Sequence, residues 1–296
     1  MCTKGRINIP IFETSLKLDP TRHKDSVHLF RDFFKLPQGR PELKFLREII
    51  AHFSRLPYEN ISKIIKLNRY FGSNHKLRLP EEVMDDHSNF RLGGTCFSLT
   101  FFLQTILTHN GFYCYPVMAD MRAGRNIHCA LIVQLKGVKY LVDPGYLLSQ
   151  PMEINPRIPR LYRTEFTGVE LRYDSKIGCY NLFTFNRHEV KWRYRFYDRP
   201  TKAEEFLQHW QASFSKNTMH GICLTKVTPQ GLIYVHKTFM RETTFEGKRN
   251  FNIKKNYHAT IHEVFGIEPQ LIEQAEVALV ENLQRERKYN TEDKPA

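Results

Sequence analysis

The chain has no uninterrupted apolar stretch long enough to span a membrane, and its opening residues lack the apolar core of a secretion signal. It also has no C-x-x-C pair. Its six cysteines are scattered at Cys2, Cys96, Cys114, Cys129, Cys179 and Cys223. This spacing argues against a disulfide framework and against a structural zinc site. His262-Glu263 lacks the second histidine of the zinc-protease pattern. These absences predict a soluble, cytoplasmic protein with reduced thiols and no metal.

Positive charge exceeds negative charge by 13, because 44 lysine and arginine residues face 31 aspartate and glutamate residues. Such an excess attracts nucleic acids or anionic ligands such as phosphorylated cofactors. The basic residues are spread along the whole chain, however, and no nucleic-acid-binding motif is present. We interpret the charge as a solvated basic surface and predict neither a nucleic-acid partner nor a membrane partner.

The spacing of apolar residues changes along the 296-residue chain. Up to about Gly111 the spacing is mainly helical, and from Tyr113 short alternating segments indicate strands. The last third mixes both patterns. We predict three units: a helical domain over residues 1–112 that carries a cysteine nucleophile, a β-barrel domain over 113–199, and an α/β lid with a charged tail over 200–296.

Three local patterns in the last third predict where its elements begin and end. The sequence from Thr201 to Glu204 fits a capping box at the start of a helix. Thr228-Pro229-Gln230-Gly231 predicts a turn that joins strands over 222–227 and 232–240. The charged sequence from Arg285 onward is predicted to fray.

A histidine and an aspartate lie on two neighbouring predicted strands. Residues 127–135 and 138–143 are strand-like, and Lys136-Gly137 between them predicts a two-residue hairpin loop. In that register Leu135 pairs with Val138, which makes His128 and Asp143 diagonal neighbours on one face, with Cα atoms about 7–8 Å apart. The imidazole and the carboxylate can then form a hydrogen bond.

Cys96 has the setting of a reactive thiol. It follows Gly93-Gly94 and precedes a helical pattern that ends at Asn110-Gly111. With Thr95 as the N-cap, Cys96 lies in the first helical turn, where the helix dipole favours a thiolate. Taken alone, the residue is better interpreted as a buried structural cysteine. Together with His128 and Asp143, it completes the set of nucleophile, base and orienting group.

Several segments carry a resemblance that extends over nearly the whole chain. In order, they are Pro57-Tyr58-Glu59-Asn60, Gly93-Gly94-Thr95-Cys96, His128, Val142-Asp143-Pro144-Gly145-Tyr146 and Val264-Phe265-Gly266-Ile267. Together they resemble the arylamine N-acetyltransferase family. The resemblance implies an α+β fold with N-terminal helices, a central antiparallel β-barrel or sheet and a C-terminal α/β lid. It also implies a cysteine-protease-like catalytic triad of Cys96, His128 and Asp143.

The sequence departs from the family pattern beside the nucleophile. Leu92 stands where the family has arginine, and Ser98 and Thr100 replace its glutamate and asparagine. We therefore expect the ion pair that the family keeps beneath its nucleophile to be missing. The loop before His128 is also short, so that acetyl-CoA with a simple arylamine is predicted to be a poor substrate pair.

The function implied by the resemblance is acyl transfer by a ping-pong mechanism. Acetyl-CoA or another acyl-CoA would acylate Cys96, and a small arylamine, hydrazine or hydroxylamine would accept the acyl group. Arg122 and Arg125 are candidate partners for the phosphates of the cofactor, with solvated loop charges as the alternative. Phe97 and Tyr146 are candidate walls of the acceptor pocket, with ordinary core packing as the alternative.

Two other functions remain open at this stage. One is a catalytically weak or silent homologue that acts as a binding protein, which the altered surroundings of Cys96 suggest. The other is a transglutaminase-like enzyme or amidase that uses the same triad on an amide. The sequence leaves the acyl chain, the acceptor and the oligomeric state undetermined.

Overall fold

The computed structural model describes residues 16–216 and 219–292. Cys2 lies outside the described residues. The five cysteines within these ranges form no disulfide with one another. Across the same ranges, no helix combines the length and the apolar character needed to cross a membrane.

Helices dominate the first part of the described chain. They pack around phenylalanines of three helices, Phe30, Phe53 and Phe102, whose ring centroids lie 5.4–6.0 Å apart. Nearly every residue of the central helix is buried, which explains why its sequence is apolar all round. The helices are α1 (Lys24–Phe34), α2 (Leu43–Phe53), α3 (Ile61–Arg69), α4 (Pro80–Phe90) and the central α5 (Cys96–His109).

An antiparallel sheet of eight strands follows, in the order β5-β4-β3-β2-β9-β8-β7-β6. Its end strands β5 and β6 contact each other, so the sheet curls towards a closed barrel around Val117, Ile132 and Leu182. The strands are β2 (Tyr113–Met121), β3 (Gly124–Leu135), β4 (Val138–Val142), β5 (Met152–Glu153), β6 (Arg160–Arg163), β7 (Gly168–Asp174), β8 (Cys179–Phe185) and β9 (Val190–Phe196).

A second antiparallel sheet of five strands, in the order β1-β10-β11-β12-β13, forms the α/β layer. Its first strand comes from the helical part of the chain, and α3 packs against α8 beside it. The elements are β1 (Tyr58–Glu59), β10 (Cys223–Thr228), β11 (Gly231–His236), β12 (Phe239–Thr243), β13 (Lys248–Asn252), α6 (Ala203–Ala212), α7 (Tyr257–Phe265) and α8 (Pro269–Glu292). The predicted α+β class with helices, barrel-like sheet and lid is confirmed.

The prediction of one long strand over residues 232–240 in this layer is wrong. The segment 232–240 is two strands rather than one, because the chain reverses at Lys237, whose φ is +55°. Val235 consequently pairs with Met240 across a tight hairpin. The turn contains no glycine, proline, asparagine or aspartate that would have marked it, because His236-Lys237-Thr238 stands between the two apolar runs.

Two helix ends also differ from the predictions. The capping box at Thr201 does not form, since α6 begins at Ala203 and has no side-chain cap. The chain beyond Arg285 does not fray at once but continues as α8 to Glu292. The Arg285 side chain hydrogen-bonds to Asn68 of α3, and this contact holds the last turns of the helix in place.

Candidate active site

The predicted hairpin between β3 and β4 is confirmed. Leu135 pairs with Val138, and the register continues to Leu131 opposite Val142. Lys136 and Gly137 in the turn both have positive φ, of 49° and 80°, as a tight two-residue loop requires. Asp143 therefore leaves the end of β4 beside the strand that carries His128.

Asp143 is a fully buried carboxylate that accepts hydrogen bonds from several donors. His128 Nε2 lies 2.8 Å from its Oδ2, and the hydroxyl of Tyr194 donates to the same oxygen at 2.6 Å. The backbone N–H of Tyr146 donates to Oδ1 at 3.0 Å. A carboxylate without water keeps its charge only when such donors surround it. Sequence reasoning missed Tyr194, because alternation along β9 places it inside the barrel without revealing its partner.

Cys96 lies next to this pair, as the first residue of α5. Thr95 occupies the N-cap position, although its side chain makes no capping hydrogen bond. The proximity of the groups is clearest at Gly145, where an added Cβ would approach Cys96 Cβ and His128 Cε1 to 2.8 Å each. Only glycine fits between them. Since His128 Nε2 binds Asp143, Nδ1 is the nitrogen left for the thiol.

The electrostatics of the site favour a thiolate. Hydrogen bonds to Cys96 from the Cys129 thiol and from His128, together with the charge of His128, hold the pKa of the Cys96 thiol well below its usual value despite burial. Burial lowers the pKa of His128, but the charge and hydrogen bond of Asp143, with those of Cys96, raise this pKa to about 10. Both shifts favour the ion pair of thiolate and imidazolium over the neutral pair. Cys129 is a second residue that sequence reasoning missed.

A buried ion pair does lie close to the Gly93-Gly94 segment before Cys96, contrary to our expectation. Arg78, only 3% exposed, donates through Nη1 to Glu59 at 3.1 Å and to the carbonyl of Gly93 at 2.5 Å. The same nitrogen donates to Ser62 Oγ at 2.7 Å, and Nη2 donates to Asp86 at 2.6 Å. The guanidinium comes from the segment before α4 and not from the position before the glycines, so the local motif could not reveal it.

The residue at position 92 explains why the arginine lies elsewhere. Leu92 is buried in the apolar core that α3 and α7 share, together with Ile61 and Phe265. A guanidinium at that position would be surrounded by aliphatic side chains. Gly93 is equally constrained, because an added Cβ would lie 1.8 Å from the carbonyl oxygen of Pro57.

A cavity of about 930 Å³ opens above the thiol. Phe97 and Tyr146, the predicted pocket walls, both line it, and Phe97 also packs against Trp210. Arg122 and Arg125 are exposed at the β2–β3 turn and are not part of the cavity wall. Nowhere in 16–216 or 219–292 do three or more His, Cys, Asp or Glu side chains converge so as to hold a metal ion.

The charge of Asp143 can be tested by its effect on thiol reactivity. We expect Asp143→Asn to slow iodoacetamide labelling of Cys96 at pH 7 by about tenfold or more, which corresponds to a rise of about one unit in the thiol pKa. The reason is that a neutral amide no longer stabilises the His128 imidazolium. Tyr194→Phe is the matched control, because it removes one hydrogen-bond donor to Asp143 but keeps the charge of the carboxylate. The labelling rate of Cys96 should fall less in this variant than in Asp143→Asn. Equal labelling of Asp143→Asn and the unchanged protein would contradict this assignment.

The pH dependence of labelling tests the lowered thiol pKa. An ordinary thiol reacts about tenfold faster per pH unit below its pKa, because only the thiolate is nucleophilic. Cys96 should instead react at a nearly constant rate between pH 7 and 8.5, and its rate should fall only at acidic pH. Cys114 provides the internal comparison, since burial raises the pKa of its thiol to about 12. A tenfold increase per unit at Cys96 would show that its pKa is ordinary.

The relocated ion pair makes a prediction about stability. Arg78→Met leaves Glu59 buried without its cationic partner, and we expect the free energy of unfolding to fall by about 3–5 kcal/mol. Denaturant titration measures this loss. Arg172→Met is the control, because the Arg172 side chain is 49% exposed in its pair with Glu170 and such pairs contribute less than about 1 kcal/mol. Similar losses for both variants would refute the role of Arg78.

The sequence of this chain is similar to those of known N-acetyltransferases. An N-acetyltransferase family model matches residues 42–274. Arylamine N-acetyltransferase 2 of Mus musculus is 29% identical in an alignment of length 154, and the match covers 46% of this chain and 51% of the mouse protein. The match thus spans about half the length of that relative. Arylamine N-acetyltransferase 1 of Bos taurus is 27% identical in an alignment of length 254, and that match covers 75% of this chain and 82% of the bovine protein.

Solved structures share the fold at lower identity. The arylamine N-acetyltransferase from Mycobacterium abscessus superposes with a TM-score of 0.76 at 16% identity, over 91% of this chain and 98% of that chain. The arylamine N-acetyltransferase of Bacillus cereus superposes with a TM-score of 0.66 at 16% identity, over 82% of this chain and 99% of that chain. That protein is described as having a unique Cys-His-Glu catalytic triad. In this chain the acid that binds His128 is Asp143. Because the family model spans most of the sequence, this chain belongs to the N-acetyltransferase family, as a divergent member.

Proposed function

We propose that this protein is an acyltransferase that moves an acetyl or longer acyl group from an acyl-CoA thioester through Cys96 to an amine. The observation that carries the proposal is the thiol of Cys96, with its lowered pKa, held beside the His128–Asp143 pair at a cavity of about 930 Å³. A cavity of this size suits a small acceptor and the end of a thioester donor. An arylamine, a hydrazine or a hydroxylamine is the acceptor class that the family relationship suggests.

The residues at the site support two half-reactions. In the first, the Cys96 thiolate attacks the thioester carbonyl, the bond from the carbonyl carbon to the CoA sulfur breaks, and His128 gives its proton to the departing thiolate. In the second, the amine attacks the acyl-cysteine, His128 takes its proton, and Cys96 leaves as a thiolate. The backbone N–H of Cys96, at the start of α5, is one donor available to the oxyanion.

Basic residues at the cavity suit the phosphates of a CoA donor. Lys216 and Arg241 both line the cavity, on the side formed by the α/β layer. We propose these two residues as phosphate contacts, because guanidinium and ammonium groups bind phosphate with charge-assisted hydrogen bonds. Our sequence-based candidates, Arg122 and Arg125, are exposed at the β2–β3 turn outside the cavity wall, so they would act only on a donor that extends beyond it.

The buried ion pair argues against a silent homologue. That alternative rested on the altered residues around Cys96, namely Leu92, Ser98 and Thr100. The Arg78–Glu59 pair supports the carbonyl of Gly93 from another part of the chain. Thr100 donates to the carbonyl of Cys129 at 3.4 Å, and its hydroxyl oxygen lies 3.4 Å from the Cys129 sulfur, so it helps to position that thiol beside Cys96. These contacts favour a working site.

Covalent acylation tests the proposal directly. Incubation with an acyl-CoA, without an acceptor, should add one acyl mass to the intact protein, and peptide mapping should place it on Cys96. Cys96→Ser should abolish the mass gain with little change in melting temperature, because the substitution is small and the role is chemical. Cys114→Ser is the control and should acylate normally. Acylation that survives in Cys96→Ser, or that maps to another residue, would overturn the proposal.

A further inference from the structure

A buried lysine lies in the wall of the same cavity. Lys63, near the start of α3, lines the cavity together with Cys96 and His128 and is only 6% exposed. Its Nζ donates to Ser213 Oγ at 2.7 Å and to the Ser213 carbonyl at 3.1 Å. The same atom lies 4.5 Å from the centre of the Phe214 ring. An ammonium has three N–H donors, so one remains after the two bonds to Ser213.

The charge of Lys63 has no carboxylate partner in the described part of the chain. Its hydrogen bonds go to a hydroxyl and a carbonyl, which are neutral. Glu189 is the carboxylate of the described cavity wall, and it is already bound by Lys191 and Lys248. Burial lowers the pKa of Lys63 to about 8, against the opposing charges of Cys96 and Cys129. A buried cation in this state is stabilised when an anion is placed beside it.

The thiolate of Cys96 does not account for this cation. The thiol pKa is lowered chiefly by hydrogen bonds from Cys129 and His128 and by the charge of His128, with Lys63 making the smallest of these contributions. His128 and Asp143 already supply the counter-charge that the nucleophile requires. The charge of Lys63 therefore remains available to a ligand.

A second cation lines the same cavity without an ion pair among the described residues. Arg193 of β9 donates through Nε to Thr184 Oγ1 at 2.6 Å, and its charge acts on Tyr146. Lys63 and Arg193 thus give the space around Cys96 a net positive potential. A cavity lined by unpaired charge of one sign concentrates ligands of the opposite sign.

We propose that Lys63 binds a carboxylate carried by the substrate, either on the acyl chain or on the amine acceptor. This inference rests on the proposed acyl transfer. The phosphates of a CoA donor cannot be the anion, because the pantetheine arm separates them from the thioester carbon that must reach Cys96. A neutral acetyl group or a neutral arylamine would leave Lys63 buried and unpaired, whereas a carboxylate would accept its remaining N–H. Lys63 is therefore a specificity-determining residue.

Matched pairs of substrates test this subsite. The donor arm compares succinyl-CoA with butyryl-CoA by the rate of Cys96 acylation. The acceptor arm compares 4-aminobenzoate with its methyl ester by kcat/KM. In at least one arm the unchanged protein should prefer the anionic member by about tenfold or more, as a charge-assisted hydrogen bond provides. Lys63→Met should remove this preference, because it should slow the reaction of the anionic member far more than that of the neutral member.

Two further variants separate recognition from folding. Lys66→Met is the control, because Lys66 lies one turn along α3 and binds Glu82 and the Leu77 carbonyl away from the cavity. It should retain the full preference. Lys63→Gln keeps a donor towards Ser213 while it removes the charge, and it replaces Lys63→Met if the latter does not fold. Melting temperature and iodoacetamide labelling of Cys96 report whether each variant retains the site.

Several results would overturn the inference. The first is equal rates for anionic and neutral substrates in the unchanged protein. The second is a Lys63→Gln variant in which the reactions of the anionic and the neutral substrate slow by the same factor. If no thioester acylates Cys96, the proposed function has failed separately. The subsite is then tested by calorimetric titration of 4-aminobenzoate and, separately, of succinate into the Cys96→Ser protein with and without Lys63→Gln. Lys63→Gln should weaken the binding of at least one of these carboxylates about tenfold, and unchanged affinity for both would refute the subsite.

Discussion

The site depends on keeping one carboxylate charged in a place that water does not reach. Asp143 is fully buried, and the donors from His128, Tyr194 and Tyr146 stabilise its charge. These donors come from β3, from β9 and from the turn after β4, so the barrel must close before the carboxylate is satisfied. The charge in turn raises the pKa of His128, and a hydrogen bond from Cys129 together with the hydrogen bond and charge of His128 lowers the pKa of the Cys96 thiol. The lowered thiol pKa therefore depends on the folded barrel.

A second constraint fixes the thiol against this pair. The chain before α5 passes so close to Pro57 that only glycine fits at position 93, and Arg78 holds the carbonyl of that glycine. Gly145 is constrained in the same way, because it lies between Cys96 and His128 and a side chain there would collide with both. In this chain leucine stands before the glycines, and the guanidinium of Arg78 reaches the buried Glu59 from another segment. The requirement is for a charge at a location in space, not at a position in the motif.

Local patterns were sufficient where neighbouring residues determine the geometry. Lys136-Gly137 fixes the register of its hairpin, which placed His128 beside Asp143, and Asn110 ends α5 as predicted. Contacts between distant segments could not be predicted. Arg78 meets Glu59 from across the fold, Tyr194 reaches Asp143 from β9, and β1 joins a sheet whose other strands begin at Cys223. The turn at Lys237 was missed because none of the usual turn residues marks it in the sequence.

The central claim is that Cys96 accepts an acyl group before any acceptor arrives. Rapid mixing of the protein with an acyl-CoA, while free CoA thiol is measured and no amine is present, tests this claim most directly. The account predicts a burst of CoA close to one equivalent per chain, followed by slow hydrolysis, and a burst rate that falls sharply in Asp143→Asn. Release of CoA only after an amine is added, with no burst, would mean direct transfer from donor to acceptor and would contradict the account.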